Sequence, residues 1–416
     1  MATLLLIIIY LVFISLGLPD SVLGSSFPAI AENLNIPSDY AGYIGMIVTS
    51  GTIVSALLSD FLIRKFTTKW VVSVSILLTV LGLIIFYITK AEFYYCLFIA
   101  AVPLGLGAGA IDSALNGYVA LHYKAIHMNW LHMSWGVGAS VSPLIIGSFI
   151  DSNNNSQGWN KGVLVIAIAQ FVIAIIAFAT LPIWNKVVSK QKSEIKEQNK
   201  EQEKEQVRVS TLFKIPIFYL ALLGFFLYCG FETTTGVWTG RFLVQARGFT
   251  TSLAATLTSF FYLGIMFGRL VSGFVSLKLN EKTLMRIGEG IILIGVILAI
   301  LPYFNGWLSA VGILIIGFGC APIYPAIIRL TPYRFSKKYV QKATGLEMAL
   351  AYSGNLIISP LFGLIAKNLG ERYDLLPYVI LVSCALMIIC HEVINVKLKI
   401  RDKKLTEDEK LEYKTL

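Results

Sequence analysis

Charge is scarce in this chain. Only 14% of its 416 residues are Asp, Glu, Lys or Arg, where a soluble domain carries about 25%. Cysteine is scarcer still: Cys96, Cys229, Cys320, Cys384 and Cys390 form no CxxC pair and no cluster with histidine. That excludes a disulfide scaffold and a zinc module, and each thiol, set in an apolar stretch, reads as a small hydrophobe. HExxH, GxSxG and Walker patterns are also missing, so neither an enzyme nor an ATP-driven pump is expected. No metal or cofactor is expected either. What fills the chain instead is apolar residues, at 56%, which excludes disorder and collagen.

A bilayer span takes about 20 apolar residues. Runs of that kind fall at about 3–31, 40–63, 70–89, 92–121, 129–150, 161–184, 212–243, 250–276, 283–302, 306–330, 341–366 and 375–396. They do not alternate and are too long for barrel strands, so the expectation is an all-α integral membrane protein with twelve transmembrane helices. Several runs exceed a simple span, which suggests tilted or kinked helices around an interior. The stretch up to Leu18 has no basic leader and too long an apolar run for a secretory signal, so it reads as a retained first helix.

The net charge is +10, from 34 Lys and Arg against 24 Asp and Glu. With the N-terminus in the cytoplasm, 27 of those 34 fall in the loops and tail of one side and six on the other. Arg269 alone is left inside a span. The excess is therefore a positive-inside signal, not a sign of nucleic acid, and it puts both termini of a multi-pass protein of the plasma or inner membrane in the cytoplasm. The stretch Lys186 to Ser210 interleaves Lys and Glu three and four residues apart, as a solvated tether does. It divides the chain into a six-helix bundle at 1–184, a cytoplasmic linker at 185–211, a second bundle at 212–396 and a tail at 397–416. The halves also repeat. Gly138-Ala-Ser-Val-Ser142-Pro143-Leu-Ile-Ile-Gly147 resembles Gly354-Asn-Leu-Ile-Ile-Ser359-Pro360-Leu-Phe-Gly363, the Ser-Pro pairs lie 217 residues apart, and the same offset carries Lys65 onto Lys282. Two landmarks at one offset argue for a parallel six-helix repeat.

An ionisable group inside a span costs about 2.5–3.5 kcal/mol on insertion scales, so each is a functional candidate. Asp20, Asp112 and Glu232 fall near the middle of spans one, four and seven; Glu289, Glu347 and His132 are the others. Pro19, with Gly17 and Gly24, suits a first helix bent around a polar cavity, although Asp20 could equally be satisfied by hydroxyls such as Ser21. Asn116 lies one turn along from Asp112 on the same face, and Gly105, Gly107 and Gly109 before it are spaced for close helix contact. Glu232 leads Thr233-Thr-Thr-Gly236, a polar run that suggests cavity lining or local unwinding. Trp135, Trp238, Tyr262 and Tyr324 offer ring faces to a solute, or ordinary packing. His122 and His127 read as solvated loop residues. At the cytoplasmic end of span two, Asp60, Arg64 and Lys65 form a charged turn suited to holding one closed state.

Twelve spans split six and six, a basic central linker and the charged turn after span two resemble the major facilitator superfamily. In that turn Ala56 and Thr67 stand where glycine is usual, and Leu277 replaces the acid of the second half. Within the superfamily, Asp20, the Gly-Leu-Gly run followed by Asp112-Ser-Ala-Leu-Asn116, and Phe226-Leu-Tyr228-Cys-Gly230-Phe-Glu232 resemble the fucose permease branch of sugar–proton symporters. Asn129-Trp-Leu-His132-Met-Ser-Trp135 resembles its next segment, with His132 and Trp135 in place of amides. The resemblance implies two six-helix bundles of the major facilitator fold and proton-coupled uptake of a sugar or similar hydroxylated solute by alternating access. Asp20 and Asp112 would take the proton; Asn116, Asn129, His132, Trp135, Glu232, Trp238, Tyr262 and Tyr324 would hold the solute. Desolvation favours the neutral form of a carboxylate, so such an acid can keep its proton until the cavity opens. The Ser142-Pro143 segment is similar to a motif of proton antiporters, so efflux of amphipathic compounds is the alternative, and a solute sensor without net flux another. Solute, protons and lipid are the partners expected, with no obligate protein partner.

Overall fold

The structure, a computed structural model, describes residues 2–123, 125–150, 158–184, 209–301, 306–335 and 340–404. Among these there is no strand. Span one is two helices, α1 (Ala2–Asp20) and α2 (Val22–Leu34); α3 (Tyr40–Ile88) holds spans two and three; α4 (Cys96–His122), α5 (Ala125–Phe149) and α6 (Trp159–Ala179) complete the first six-helix bundle. The second consists of α7 (Pro216–Arg247), α8 (Thr251–Val275), α9 (Glu281–Ile300), α10 (Trp307–Cys320) with α11 (Ile323–Phe335) as span ten, α12 (Val340–Asn368) and α13 (Leu376–Asp402). By length and apolarity 11 spans among the described residues can cross a membrane. The twelfth, α5, is less apolar because it carries His127, His132, Ser134, Ser140 and Ser142, and it earns its place by packing between α1 and α8.

Local chemistry sets the helix ends. Thr250 and Asn280 accept from the backbone N–H three residues on, at 3.3 and 2.9 Å, and start α8 and α9. Pro216 opens α7, where a missing N–H costs nothing. Gly248, at φ 72°, ends it by donating to the Val244 carbonyl. Spans one and ten are each broken near mid-depth: α1 stops at Asp20 beside Pro19, and α10 stops at Cys320 ahead of Pro322. Proline removes the backbone donor and frees a carbonyl, so both breaks are written in the residues.

Glycine brings the helices together. Lipid supplies no hydrophobic drive between two apolar helices, and close van der Waals approach does the work. A Cβ on Gly105 would fall on the Val48 carbonyl of span two, and one on Gly107 would meet Ser75 and Thr79 of span three. In the second half Gly317 abuts Phe261 of span eight and Gly319 abuts Gly288 and Ile292 of span nine. Gly138 of span five packs on Ile14 of span one, as Gly354 of span eleven packs on Phe226 of span seven. The repeat in the sequence is thus the same set of helix crossings made twice. Outside, Ile84, Ile168, Ile297 and Val382 of spans three, six, nine and twelve are exposed, an apolar periphery that lipid can cover.

The bundles meet through α5 and α8, α3 and α12, and α2 with α7 and α8. At the end remote from the linker, Lys367 pairs with the buried Asp39 carboxylate at 2.9 Å and Ser252 donates to the Gly147 carbonyl at 2.8 Å. At the linker end, α13 runs past Val396 to Asp402. There Arg401 donates to the Tyr333 and Arg334 carbonyls at 3.0 and 3.1 Å and the Tyr333 hydroxyl bonds Asp402. The turn after span two lies inside α3, broken only at Thr67, whose φ of 67° and ψ of 152° belong to a region that is essentially glycine's. His127, expected in a loop, lies in α5 with its Nδ1 3.0 Å from the Tyr10 hydroxyl. Of the two readings of the run after Glu232, cavity lining holds for Thr233 and unwinding is absent. α7 runs unbroken, and Thr234, Thr235 and Thr239 donate their hydroxyls to carbonyls four residues back at 2.6–2.7 Å.

Gly105→Val should cost about 1–3 kcal/mol through overpacking. Gly117→Ala, where a Cβ meets open space, should stay within about 0.5 kcal/mol; melting curves in detergent compare the two. Thr67→Gly should raise the melting temperature, because it releases about 1–3 kcal/mol of backbone strain.

Candidate functional site

Between the bundles lies a cavity of about 310 Å³. Polar groups reach it from spans one, two, four, five, seven, eight, ten and eleven, with Asp20, Asp112, Glu232 and Arg269 as its charges. Asp20 projects into it from the end of α1, where the break frees the carboxylate from helix packing. The partner of Asp20 is Trp135, whose indole N–H donates to Oδ2 at 2.6 Å. Ser21, the alternative read from sequence, leaves its hydroxyl buried without a partner.

Asp112 lines the same cavity as Asp20. Asn116 donates from Nδ2 to Oδ1 of Asp112 at 2.8 Å, and the Tyr352 hydroxyl donates to Oδ2 at 3.2 Å. The first bond is the one-turn pairing that the spacing implied. The second crosses between the bundles, from α12 to α4. Glu232 and Thr233 line the wall on α7. Trp135 meets Tyr262 edge-on at 6.1 Å, and His132 lies between Phe13 and Tyr324, at 5.6 and 6.2 Å. These rings give the cavity apolar faces between its polar groups.

Of the candidate residues, Asp20, Asp112, His132, Trp135, Glu232, Tyr262 and Tyr324 line one cavity, with Asn116 behind Asp112. Trp238 lies elsewhere. It is buried with its indole N–H on the Ser359 carbonyl at 3.0 Å and its ring stacked on Tyr373 at 5.4 Å. Lys65 is exposed, 5.3 Å from the Phe66 ring, while the side chains of Asn129, Asp60 and Arg64 lie outside the described residues. Glu289 and Glu347 face away from the cavity: Glu289 pairs with His391 at 2.7 Å and Glu347 accepts from Thr331 at 2.6 Å.

Sequence reasoning missed Arg269, Tyr352 and Asn355 of the lining. The signal for Arg269 was present, since it is the one basic residue inside a span. Its guanidinium lies 5.0 Å over the Trp135 ring and donates through Nη1 to the His132 carbonyl at 3.2 Å. Tyr352 and Asn355 sit three apart on one face of α12, but nothing in the sequence says which face looks inward.

The family model of the Major Facilitator Superfamily matches residues 9–330 and, again, 242–412. The chain belongs to the Major Facilitator Superfamily. Among curated proteins it is 27% identical to the glucose/mannose transporter GlcP of Bacillus subtilis, over 97% of this chain and 96% of that protein. It is 24% identical to Bypass of stop codon protein 6 of Saccharomyces cerevisiae, over 87% and 77%. Among solved structures, a D-xylose–proton symporter superposes with a TM-score of 0.74 at 14% identity, covering 94% of this chain and 96% of that one. The Escherichia coli fucose–proton symporter FucP superposes with 0.59 at 16% identity, covering 94% and 98%. Both carry the twelve-helix fold of the superfamily seen here.

Because Trp238 packs away from the cavity, Trp238→Phe should lower stability by about 1–3 kcal/mol, through the lost donor to Ser359 and the smaller ring. Solute affinity, measured by isothermal titration, should stay within about twofold.

Proposed function

We propose that the chain is a secondary active transporter that takes up a sugar, or a similar small hydroxylated solute, together with a proton by alternating access. The observation that carries it is the placing of two acids, Asp20 and Asp112, on one cavity between the bundles, each hydrogen-bonded to a group that a proton would disturb. Ligand pockets run from about 300 to 1,000 Å³, so about 310 Å³ suits a monosaccharide. Hydroxyls can be held by Glu232, His132 and Asn355 against the faces of Trp135, Tyr262 and Tyr324, with Asn116 and Asn129 as further amides. The name of GlcP and the sugar–proton symport of the structural neighbours support the same solute class.

The two acids carry the proton in this reading, and the halves at 1–184 and 212–396, joined by the charged linker, rock around the cavity. Asp60, Arg64 and Lys65 act as a gate at the linker end. Basic residues gathered at that end, Lys278, Lys282, Arg286, Arg329 and Arg334 among them, support a cytoplasmic linker and tail in a plasma or inner membrane.

Purified protein in liposomes, acidified outside, should accumulate labelled glucose, mannose, xylose or fucose. Asp20→Asn or Asp112→Asn should reduce that accumulation at least tenfold while solute exchange without a gradient persists. Full accumulation in both variants would remove the proton role; efflux of hydrophobic cations with no sugar uptake would favour the antiporter.

A further inference from the structure

We propose that Arg269 is a positioning residue that ties the charge on the cavity's acids to the seating of the second bundle against the first. The proposal rests on the proton-coupled reading above and deepens it, because it names how the charge state of the acids is felt by the moving parts.

The argument starts from cost. A guanidinium inside a span is unfavourable, because hydrocarbon does not solvate its charge. Arg269 stands on α8, one bundle, yet the contacts that offset this cost are made to α5 of the other, through the His132 carbonyl at 3.2 Å and the Trp135 ring at 5.0 Å. The same indole donates to Asp20 of α1 at 2.6 Å. Guanidinium, ring and carboxylate thus form one chain across the boundary between bundles. The stacked cation draws electron density from the ring and makes the indole N–H a stronger donor. That favours ionised Asp20, and ionised Asp20 in turn holds Trp135 in place under the guanidinium.

Two more observations point the same way. Arg269 lies within Coulombic reach of Asp112 and Glu232, so it is the fixed positive charge beside two of the acids and touches the third, Asp20, through Trp135. Its Nε is buried without a partner, which leaves a donor for a carboxylate or a solute hydroxyl in another arrangement of the bundles. Arg269 and His132 also form the wall between the central cavity and a small cleft of about 30 Å³ lined by Ser272, Ser276, Glu281 and Arg329. The titratable groups around the chain are Asp112 of α4, His132 of α5, Tyr228, Cys229 and Glu232 of α7, Tyr262 of α8, Cys320 of α10, Tyr324 of α11 and Tyr352 of α12. Among these and Asp20, Arg269 is the one that keeps its charge at any physiological pH. Protonating Asp20 weakens the link through Trp135, and the bundles can then part at α5 and α8.

The test is the pH profile of gradient-driven uptake in liposomes, read beside solute exchange and the melting temperature. Arg269→Gln removes the cation, so the midpoint of the profile should move to higher pH by about one unit, because loss of a nearby positive charge favours the protonated acids. Accumulation should fall at least tenfold, and exchange by less. Arg269→Lys keeps the charge and should keep the wild-type midpoint with slower turnover, since lysine cannot stack as a plane. Trp135→Phe breaks the link to Asp20, and the double variant with Arg269→Gln should move the midpoint no further than the larger single shift. An unmoved midpoint in Arg269→Gln, additive shifts in the double variant, or equal loss of exchange and accumulation in a stably folded Arg269→Gln would each overturn the proposal. If instead Asp20→Asn and Asp112→Asn both keep full accumulation, the proton-coupled reading itself fails, whatever Arg269 does.

Discussion

Hydrocarbon offers no hydrogen bonds and solvates no charge, and every notable feature of this protein follows from that one constraint. Backbone groups are satisfied inside helices, so among the described residues every span is built of helix and there is no strand. Charges that enter the bilayer have to find company inside the protein. Asp20, Asp112, Glu232 and Arg269 do so by gathering around one cavity, where one another's fields offset the solvent they gave up. Glu289 with His391, and Glu347 with Thr331, do so as local pairs away from the cavity. The same insertion cost therefore yields two outcomes: a shared site between the bundles and local pairs within one of them.

The bundles themselves depend on close approach. Where apolar side chains gain nothing by leaving lipid for a neighbouring helix, the contact that counts is backbone against backbone. Gly105 and Gly107 in span four and Gly317 and Gly319 in span ten make equivalent crossings onto the two spans before them. Gly138 and Gly354 do the same for spans five and eleven. Because these crossings recur in both halves, the halves are alike in frame and differ in what they carry. The first brings Asp20, Asp112, His132 and Trp135 to the cavity, the second Glu232, Tyr262, Arg269, Tyr324 and Tyr352. At the cavity two acids of the first bundle, Asp20 and Asp112, meet one acid and one cation of the second, Glu232 and Arg269.

Much of this was legible in advance, for physical reasons. Long apolar runs announce spans, and Pro19 announces a break where Asp20 could project. Four-residue spacing announced the Asp112–Asn116 pair, which forms at 2.8 Å. The misreadings have reasons too. Trp238 resembled a solute contact because an aromatic beside polar residues looks the same whether its N–H meets a sugar or the Ser359 carbonyl. The threonines after Glu232 resembled an unwound segment because a hydroxyl can replace a backbone bond; here it supplements one instead. His127 resembled a loop residue because the start of span five is polar, and it finds the Tyr10 hydroxyl across the bundle.

The sequence by itself determined that this is a twelve-span membrane protein in two related halves with a few expensive charges inside, since composition, periodicity and insertion cost are properties of the chain taken one segment at a time. The partner of each charge was decided only by the tertiary structure. Trp135 reaches Asp20 across 115 residues and Tyr352 reaches Asp112 across 240, because helix rotation and crossing, set by glycine contacts on other faces, choose which side chains look inward. Arg269 shows both sides of the division. Its presence in a span could be read from the chain, but its seat over Trp135, between two bundles, could not.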